Sequence, residues 1–278
     1  MFVDEFAKDY FQELEVLSSN FEDGRAALAK SRIKMFSASI ARQLLEFKEA
    51  FDIMIGAGNS GLFMTKITEL AYEYLEVKKP KILNLPIYRF KEDNIMPNDN
   101  SRLLPSIKQQ LKNFELKNAL FVDDEIMRAL TARECFSLLL KTNPNINHVD
   151  ATIIAENHFF EWHYKMPKVS IRFFAYSPLI QGLNGNIGYF IKEDLYKEIC
   201  QFLNKTLSYN QVMAIVIGSA LKQKDKNGNP YFDYEIESSL KNKIANYESR
   251  KFSLMNELGK IVEEGVNEYK SGSISFRF

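Results

Sequence analysis

The sequence predicts an α/β protein with a central, mainly parallel sheet and helical additions at both ends. Short apolar runs alternate along the chain with segments of helical periodicity, which is typical of βαβ units. One apolar run, residues 119–122, leads directly into the adjacent carboxylates Asp123 and Asp124. At the carboxyl end of a buried strand, two acids can bind sugar hydroxyls or a hydrated Mg²⁺. The alternative is an Asp-Asp turn that caps the following helix.

The N-terminal residues 1–50 are predicted to form helices that pack on the sheet. Apolar residues have helical spacing over 4–20, and an apolar stripe runs along a second helix from about 22 to 49. The α/β core is expected over residues 51–180. Its predicted strands are 51–55, 81–87, 118–122, 151–155 and 169–176, and its predicted helices are 62–75, about 101–112, and a segment that ends near Leu140.

Residues 181–278 are predicted to be a mostly helical extension of the core. We expect helices over about 192–205, 209–222 and 234–270, with a clear break at 224–230. Within the second of these, the apolar run 211–217 is too short to distinguish a strand from a helix.

The composition excludes several classes of protein. The chain has 36 basic and 36 acidic residues, whereas a dedicated nucleic-acid binder is usually basic. No apolar run approaches the roughly 18 residues that cross a bilayer, and the N-terminus does not resemble a signal peptide. Cys135 and Cys200 lack CxxC spacing, so we expect no disulfide framework and a buried Cys135. These features predict a cytoplasmic protein without nucleic-acid or membrane partners.

A glycine-rich segment, residues 56–61, follows the first predicted strand. Three glycines in six residues allow the backbone to approach a ligand, and the next helix presents N–H groups that suit an anion. The alternative is a tight turn with glycines that serve packing. The glycine spacing does not match a Rossmann dinucleotide fingerprint.

Two further segments have open interpretations. The polar segment between the second and third strands, about 88–100, is either a functional lid or a surface excursion. The aromatic segment 156–164 follows the fourth strand. It is a base-stacking wall, a metal site of Glu156, His158 and His163, or an aromatic contact with the C-terminal helices.

The segment from Ala119 to Thr131 resembles the PRPP-binding signature of the type I phosphoribosyltransferases. In that family a hydrophobic strand ends in two acids, matched here by Asp123 and Asp124, and the following loop ends in a threonine, matched by Thr131. The order of segments 56–61, 88–101 and 123–131 also follows the family's order of pyrophosphate loop, flexible loop and PRPP loop. The resemblance covers about residues 30–178. Met127, Arg128 and Ala129 depart from the family pattern.

The resemblance implies a Mg²⁺-dependent transferase, a glycosyltransferase of the phosphoribosyl class. Asp123 and Asp124 would be the catalytic pair, holding the ribose hydroxyls directly or through Mg²⁺. The remaining implied positions bind anions. The 5′-phosphate would lie against Arg128, Ala129, Leu130 and Thr131, and pyrophosphate would face Ala57, Gly58 and Asn59, with Arg89, Lys91 or Arg102 neutralising it as it leaves.

The resemblance implies PRPP and a small nitrogenous base as partners, but residues 179–278 match no specificity hood, so the base stays unassigned. Two alternatives remain open at this point. Met127 and Ala129 favour a non-catalytic PRPP or nucleotide sensor on the same fold. The apolar stripe over 234–270 favours a subunit that binds a second copy or another protein through its helical extension, although packing on its own domain explains the same stripe.

Overall fold

A five-stranded, all-parallel sheet forms the centre of the fold, so the predicted fold class is confirmed. The computed structural model describes residues 21–46, 50–87, 100–126, 130–156, 170–178, 187–218, 220–222, 231–233 and 235–274. The predicted helix 4–20, the polar segment 88–99 and the aromatic residues 157–164 lie outside these ranges. The strands are β1 (Ile53–Ala57), β2 (Lys81–Leu85), β3 (Asn118–Ile126), β4 (His148–Glu156) and β5 (Ser170–Pro178), in the order β2-β1-β3-β4-β5.

Helices flank the sheet in the positions that the apolar periodicity predicts. In chain order they are α1 (Phe21–Leu45), α2 (Gly58–Tyr74), α3 (Leu104–Leu111), α4 (Leu130–Thr142), α5 (Glu193–Leu203), α6 (Tyr209–Val216), α7 (Ile236–Lys241) and α8 (Tyr247–Lys270). Short 3₁₀ turns cover Ser101–Leu103 and Ile187–Phe190. The helix predicted to begin near 22 is therefore present, and its apolar stripe of Ile33, Phe36, Ile40 and Leu44 is buried.

The central strand β3 has a hydrophobic core on each of its faces. Successive side chains of a strand point to opposite faces. Leu120 and Val122 accordingly join the core formed with α1, α2 and the C-terminal helices. Ala119 and Phe121 join the core formed with α3 and α4. This double burial explains why the strand is a continuous apolar run in the sequence.

Strand β3 is longer than predicted because its two neighbouring strands pair with it over different lengths. Pairing with β1 ends at Val122, opposite Gly56, which is the predicted end of the strand. Pairing with β4 continues to Ile126, opposite Glu156. Asp123 and Asp124 therefore lie within β3, on the part of the strand that extends past the end of β1.

The C-terminal extension differs from the prediction at two places. The single helix predicted over 234–270 is divided into α7 and α8, and Asn246 between them adopts a left-handed φ of 55°. Asparagine is one of the few residues that visits this conformation. The helix predicted over 209–222 ends at Val216, and Gly218 has a φ of 122°. A short antiparallel pair follows, β6 (Ala220–Lys222) with β7 (Tyr231–Asp233); strands of three residues carry too short a pattern to predict.

The apolar stripe of α8 packs within its own molecule. Leu254, Leu258, Val262 and Val266 are buried in the core that includes α1 and α2. Phe252, on the same helix, is 67% exposed. Intramolecular packing therefore accounts for the stripe that had suggested a partner. No helix in the described part of the chain has the length and apolar character to cross a membrane.

Candidate functional site at the carboxyl ends of β1 and β3

The strand order creates a crevice between the carboxyl ends of β1 and β3. From β1 the chain crosses to β2 on one side, and from β3 it crosses to β4 on the other. The connections therefore diverge from the gap between these two adjacent strands. In open α/β sheets of this order, ligands bind outside the carboxyl ends at such a switch point. The turn after β1 and the acid pair of β3 meet there.

A serine from the start of α2 links the two sides of this crevice. The Ser60 hydroxyl donates to Asp123 Oδ1 at 2.9 Å. The backbone N–H of Asp124 donates to the same oxygen at 3.0 Å. Asp123 and Asp124 are only 5% and 7% exposed. The Asp123 carboxylate is thus buried and held toward the end of β1.

An asparagine from the C-terminal extension contacts the second acid. The Asn210 side-chain amide donates from Nδ2 to Asp124 Oδ2 at 2.9 Å, and its Oδ1 accepts from the Gly188 N–H at 3.0 Å. Glycine is required at position 188, because an added Cβ would lie 2.5 Å from the backbone nitrogen of Asn210. Helix α6 therefore reaches the acid pair of the core.

Sequence reasoning missed Ser60, Gly188 and Asn210 as members of the site. One signal was available for α6: Ser208 and Gln211 form a capping box, with the Ser208 side chain accepting from the Gln211 N–H. This spacing places Asn210 in the first turn of a helix. Its contact with Asp124 spans 86 positions of sequence and has no local signature.

Burial makes both carboxyl groups weaker acids. The pKa of Asp123 is raised well above its usual value by burial and then by the negative charge of Asp124, and the Ser60 hydroxyl offsets part of this rise. Burial also raises the pKa of Asp124, while hydrogen bonds from its surroundings, including the Asn210 amide, lower it. The ligand-free pair therefore favours retaining a proton, and a bound cation or hydroxyl donor would favour the ionised form.

The predicted glycine-rich loop is a direct strand-to-helix turn. Gly56 and Ala57 end β1, and Gly58, with a φ of 64°, begins α2. A Cβ at Gly56 would lie 2.3 Å from the Gly61 carbonyl oxygen. Gly56 and Gly61 thus serve close packing, which was the alternative interpretation. Gly58 and Asn59 occupy the first turn of α2. Ala57 is the N-cap residue of this helix, and no side-chain hydrogen bond caps the turn.

The other predicted anion-binding positions are only partly described. Thr131 is half-buried in the first turn of α4, which begins at Leu130. Arg102 is exposed in the 3₁₀ turn before α3. Arg128 and Ala129 of the predicted PRPP loop lie outside the described residues, as do Arg89 and Lys91. Their assignment to phosphate and pyrophosphate stays a prediction.

Cys135 of α4 lies close enough to the site for the charge of Asp123 to affect its thiol. Its thiol is fully buried, and burial together with the charge of Asp123 raises its pKa. Both cysteines are free thiols. Within the described ranges, no group of three or more histidine, cysteine, aspartate or glutamate side chains could enclose a metal ion.

Comparison with known proteins gives structural matches only. No protein-family model matches the chain, and no curated protein matches it in sequence. It is similar to the crystal structure of a hypothetical protein from Neisseria gonorrhoeae with bound ppGpp, at 19% identity and a TM-score of 0.38, over 53% of this chain and 78% of that chain.

Two further matches are phosphoribosyltransferases. The xanthine-guanine-hypoxanthine enzyme of Helicobacter pylori matches at 12% identity and a TM-score of 0.32, over 52% of this chain and 82% of that chain. The hypoxanthine enzyme of Trypanosoma cruzi, in complex with the product IMP, matches at 14% identity and a TM-score of 0.34, over 56% of this chain and 78% of that chain. Structures similar to the chain thus include members of the family that the sequence around Asp123 resembles.

Proposed function

We propose that this protein binds PRPP and Mg²⁺ between the carboxyl ends of β1 and β3 and transfers a phosphoribosyl group to or from a nitrogenous base. Pyrophosphate is the leaving group of this reaction. The observation that carries the proposal is the buried pair Asp123 and Asp124 at the switch point of a parallel sheet, with Ser60 hydrogen-bonded across the crevice. The resemblance of residues 119–131 to the PRPP-binding signature supports the same ligand.

The two acids supply the groups that a ribose ring needs. Carboxylate oxygens accept hydrogen bonds from sugar hydroxyls, and such charge-assisted bonds are about twice as strong as neutral ones. Burial of Asp123 and Asp124 excludes the water that would otherwise compete for these oxygens. The cost is the raised pKa of each acid, which ligand hydroxyls offset when they donate to the ionised form.

The donor set also fits Mg²⁺ in the form in which proteins usually bind it. Mg²⁺ prefers oxygen ligands and is commonly held by one or two carboxylates while it keeps water and substrate oxygens. Asp123 and Asp124 provide two carboxylates, and the described residues provide no larger cage. Mg²⁺ would supply positive charge to the pyrophosphate group, and the acid pair would hold it there.

Two helix N-termini are the proposed binding sites for the anionic parts of PRPP. Helix α2 begins directly after β1, and α4 begins at Leu130, a few residues after β3 ends. Free N–H groups and the helix dipole make such N-termini favourable for phosphate. In this arrangement Gly58 and Asn59 face pyrophosphate, and the Thr131 hydroxyl and neighbouring amides face the 5′-phosphate. Arg128 and Arg89 are the proposed cationic partners of the two phosphate groups.

The proposed reaction requires stabilisation of separating charges. The bond from the anomeric carbon to pyrophosphate breaks as the base nitrogen attacks, and positive charge develops on the ribose ring. Fixed donors at the leaving group would supply most of this stabilisation. The carboxylates of the acid pair would stabilise the positive charge of the ring. Met127 has no acid–base chemistry, so proton transfer from the base is assigned to no described side chain.

Calorimetric titration with PRPP, with and without Mg²⁺, tests the proposal. We expect Mg²⁺-dependent binding that is lost in Asp123→Asn/Asp124→Asn. Asp150→Asn is the matched control, because it also removes a buried carboxylate, but from the part of β4 that lies opposite Leu120 and away from the crevice. Binding that survives in the double variant, or disappears equally in the control, contradicts the assignment.

A non-catalytic PRPP or nucleotide sensor is the second candidate function. It is favoured by two departures from the resembled family. Met127 stands where the family's 6-oxopurine enzymes carry an acidic residue, and Ala129 stands where the loop carries a glycine. Release of pyrophosphate during incubation with PRPP and a panel of nucleobases distinguishes the two. A sensor binds PRPP without turnover, whereas release with any base establishes the transferase.

A further inference from the structure

We infer that Asn210 is a positioning residue for Asp124, and that through it the C-terminal extension forms part of the acid-pair site. The contact is direct, from Asn210 Nδ2 to Asp124 Oδ2 at 2.9 Å. Alternation along β3 places Asp124 on the same face as Leu120 and Val122, which is the face that the C-terminal helices cover. Asp124 thus points toward the extension, while Asp123 is held by Ser60 of the core.

The orientation of the Asn210 amide is determined by its second partner. The Gly188 N–H is a donor and can pair only with the amide oxygen, at 3.0 Å from Oδ1. The NH₂ end must then face Asp124, where it serves as a donor to a carboxylate. Gly188 permits this geometry because a side chain there would overlap Asn210 and Tyr209.

The backbone that carries Asn210 is held firmly at the start of α6. Ser208 and Gln211 close the capping box around the first turn. The Tyr209 ring stacks on Tyr196 of α5, with ring centres 4.0 Å apart and planes 7° from parallel. The Asn210 donor is therefore pre-positioned at Asp124 before any ligand arrives, which limits the entropy lost on binding.

This geometry divides the oxygens of Asp124 between protein and ligand. Oδ2 accepts from Asn210, so the ligand is expected at Oδ1. A fixed donor at Oδ2 also holds the Asp124 carboxylate in one orientation. The role of Oδ1 rests on the proposed function, whereas the effect of Asn210 on the orientation of the Asp124 side chain does not.

Carbon-detected NMR of the full chain at one fixed pH tests the inference without a ligand, through the three-bond couplings that report the side-chain torsion of Asp124. Asn210→Ala removes the donor, and we expect couplings that indicate one rotamer in the unaltered chain to become averaged over several. Gln201→Ala is the matched control, because it removes an exposed amide from α5 of the same extension and leaves the first turn of α6 intact. Its Asp124 couplings should equal those of the unaltered chain.

Thermal denaturation of Asn210→Ala separates positioning from structural support. A positioning role predicts that Asp124 loses its single rotamer in this variant. A purely structural role predicts that the thermal midpoint falls while the Asp124 couplings stay those of the unaltered chain, and that result would overturn the inference.

Titration with PRPP and Mg²⁺ then separates this inference from the proposed function. We expect Asn210→Ala to weaken binding by about tenfold. If the unaltered chain does not bind PRPP, the proposed function fails, but loss of the single Asp124 rotamer in Asn210→Ala still supports the positioning role. If the chain binds PRPP and Asn210→Ala changes neither the affinity nor the Asp124 couplings, the positioning role alone is refuted.

Discussion

Replacing Gly56 by alanine should destabilise the protein and separate the two halves of the candidate site. Gly56 lies in β1, opposite Val122, at the height where the crevice begins. A Cβ there would lie 2.3 Å from the Gly61 carbonyl oxygen and 2.7 Å from both the Gly61 carbonyl carbon and Thr65 Cγ2. Carbon atoms pack best at about 3.5–4.0 Å, so the overlap approaches ~1 Å.

The magnitude follows from which atoms must move. Overpacking typically costs about 1–3 kcal/mol, and here two of the obstructing atoms belong to the backbone of α2, so we expect the upper end. For a chain of this size, about 3 kcal/mol lowers the thermal midpoint by roughly 5–10 °C. The same displacement carries Ser60 away from Asp123, whose 2.9 Å hydrogen bond would lengthen. The pKa of Asp123 should then rise further, since the hydroxyl opposes the effect of burial.

Thermal denaturation of Gly56→Ala and Gly259→Ala measures this effect against a matched substitution. Gly259 lies in α8, and its added Cβ would lie 3.0 Å from the Tyr74 hydroxyl, at the end of a side chain that can rotate. Alanine also favours a helix by about 1 kcal/mol over glycine. Gly259→Ala should therefore be neutral or stabilising. If Gly56→Ala unfolds at the same temperature as the unaltered chain, the close packing of β1 on α2 does not explain this glycine.

Three further predictions concern the acid pair and its surroundings. Ser60→Ala should lower the free energy of unfolding at neutral pH by about 1.5–3 kcal/mol, because it removes a donor from a buried carboxylate, and urea denaturation that matches the unaltered chain would contradict this. The raised pKa values of Asp123 and Asp124 mean that their stabilising contribution is complete below the unfolded value of about 3.9 and is lost as pH rises through the folded values. Thermal midpoints measured from pH 4 to 8 should therefore fall less steeply in Asp123→Asn, and parallel curves would refute this assignment. A thiol reagent should modify Cys200 in the folded protein and Cys135 only after unfolding, because Cys135 is fully buried with a raised pKa; equal native rates would show that α4 opens.

The secondary structure of the core was predictable because its signals are local. Strands β1 and β3 are short apolar runs with buried side chains on both faces, and α1 carries a stripe with helical spacing. Such patterns depend on neighbouring residues only. The boundaries were less predictable. Pairing with β4 extends β3 to Ile126, and this extension depends on a strand 30 positions away.

The sequence by itself determined the fold class and the position of Asp123 and Asp124 near a strand end. Only the tertiary structure decided that Gly56 and Gly61 pack against each other and that Ser60 and Asn210 each hold one acid. The physical reason is the separation along the sequence over which each kind of interaction acts. Periodicity and turn chemistry act over a few residues, whereas these hydrogen bonds join positions 63 and 86 apart. Such partners meet only after the sheet order places β1 beside β3 and the C-terminal helices over the same face.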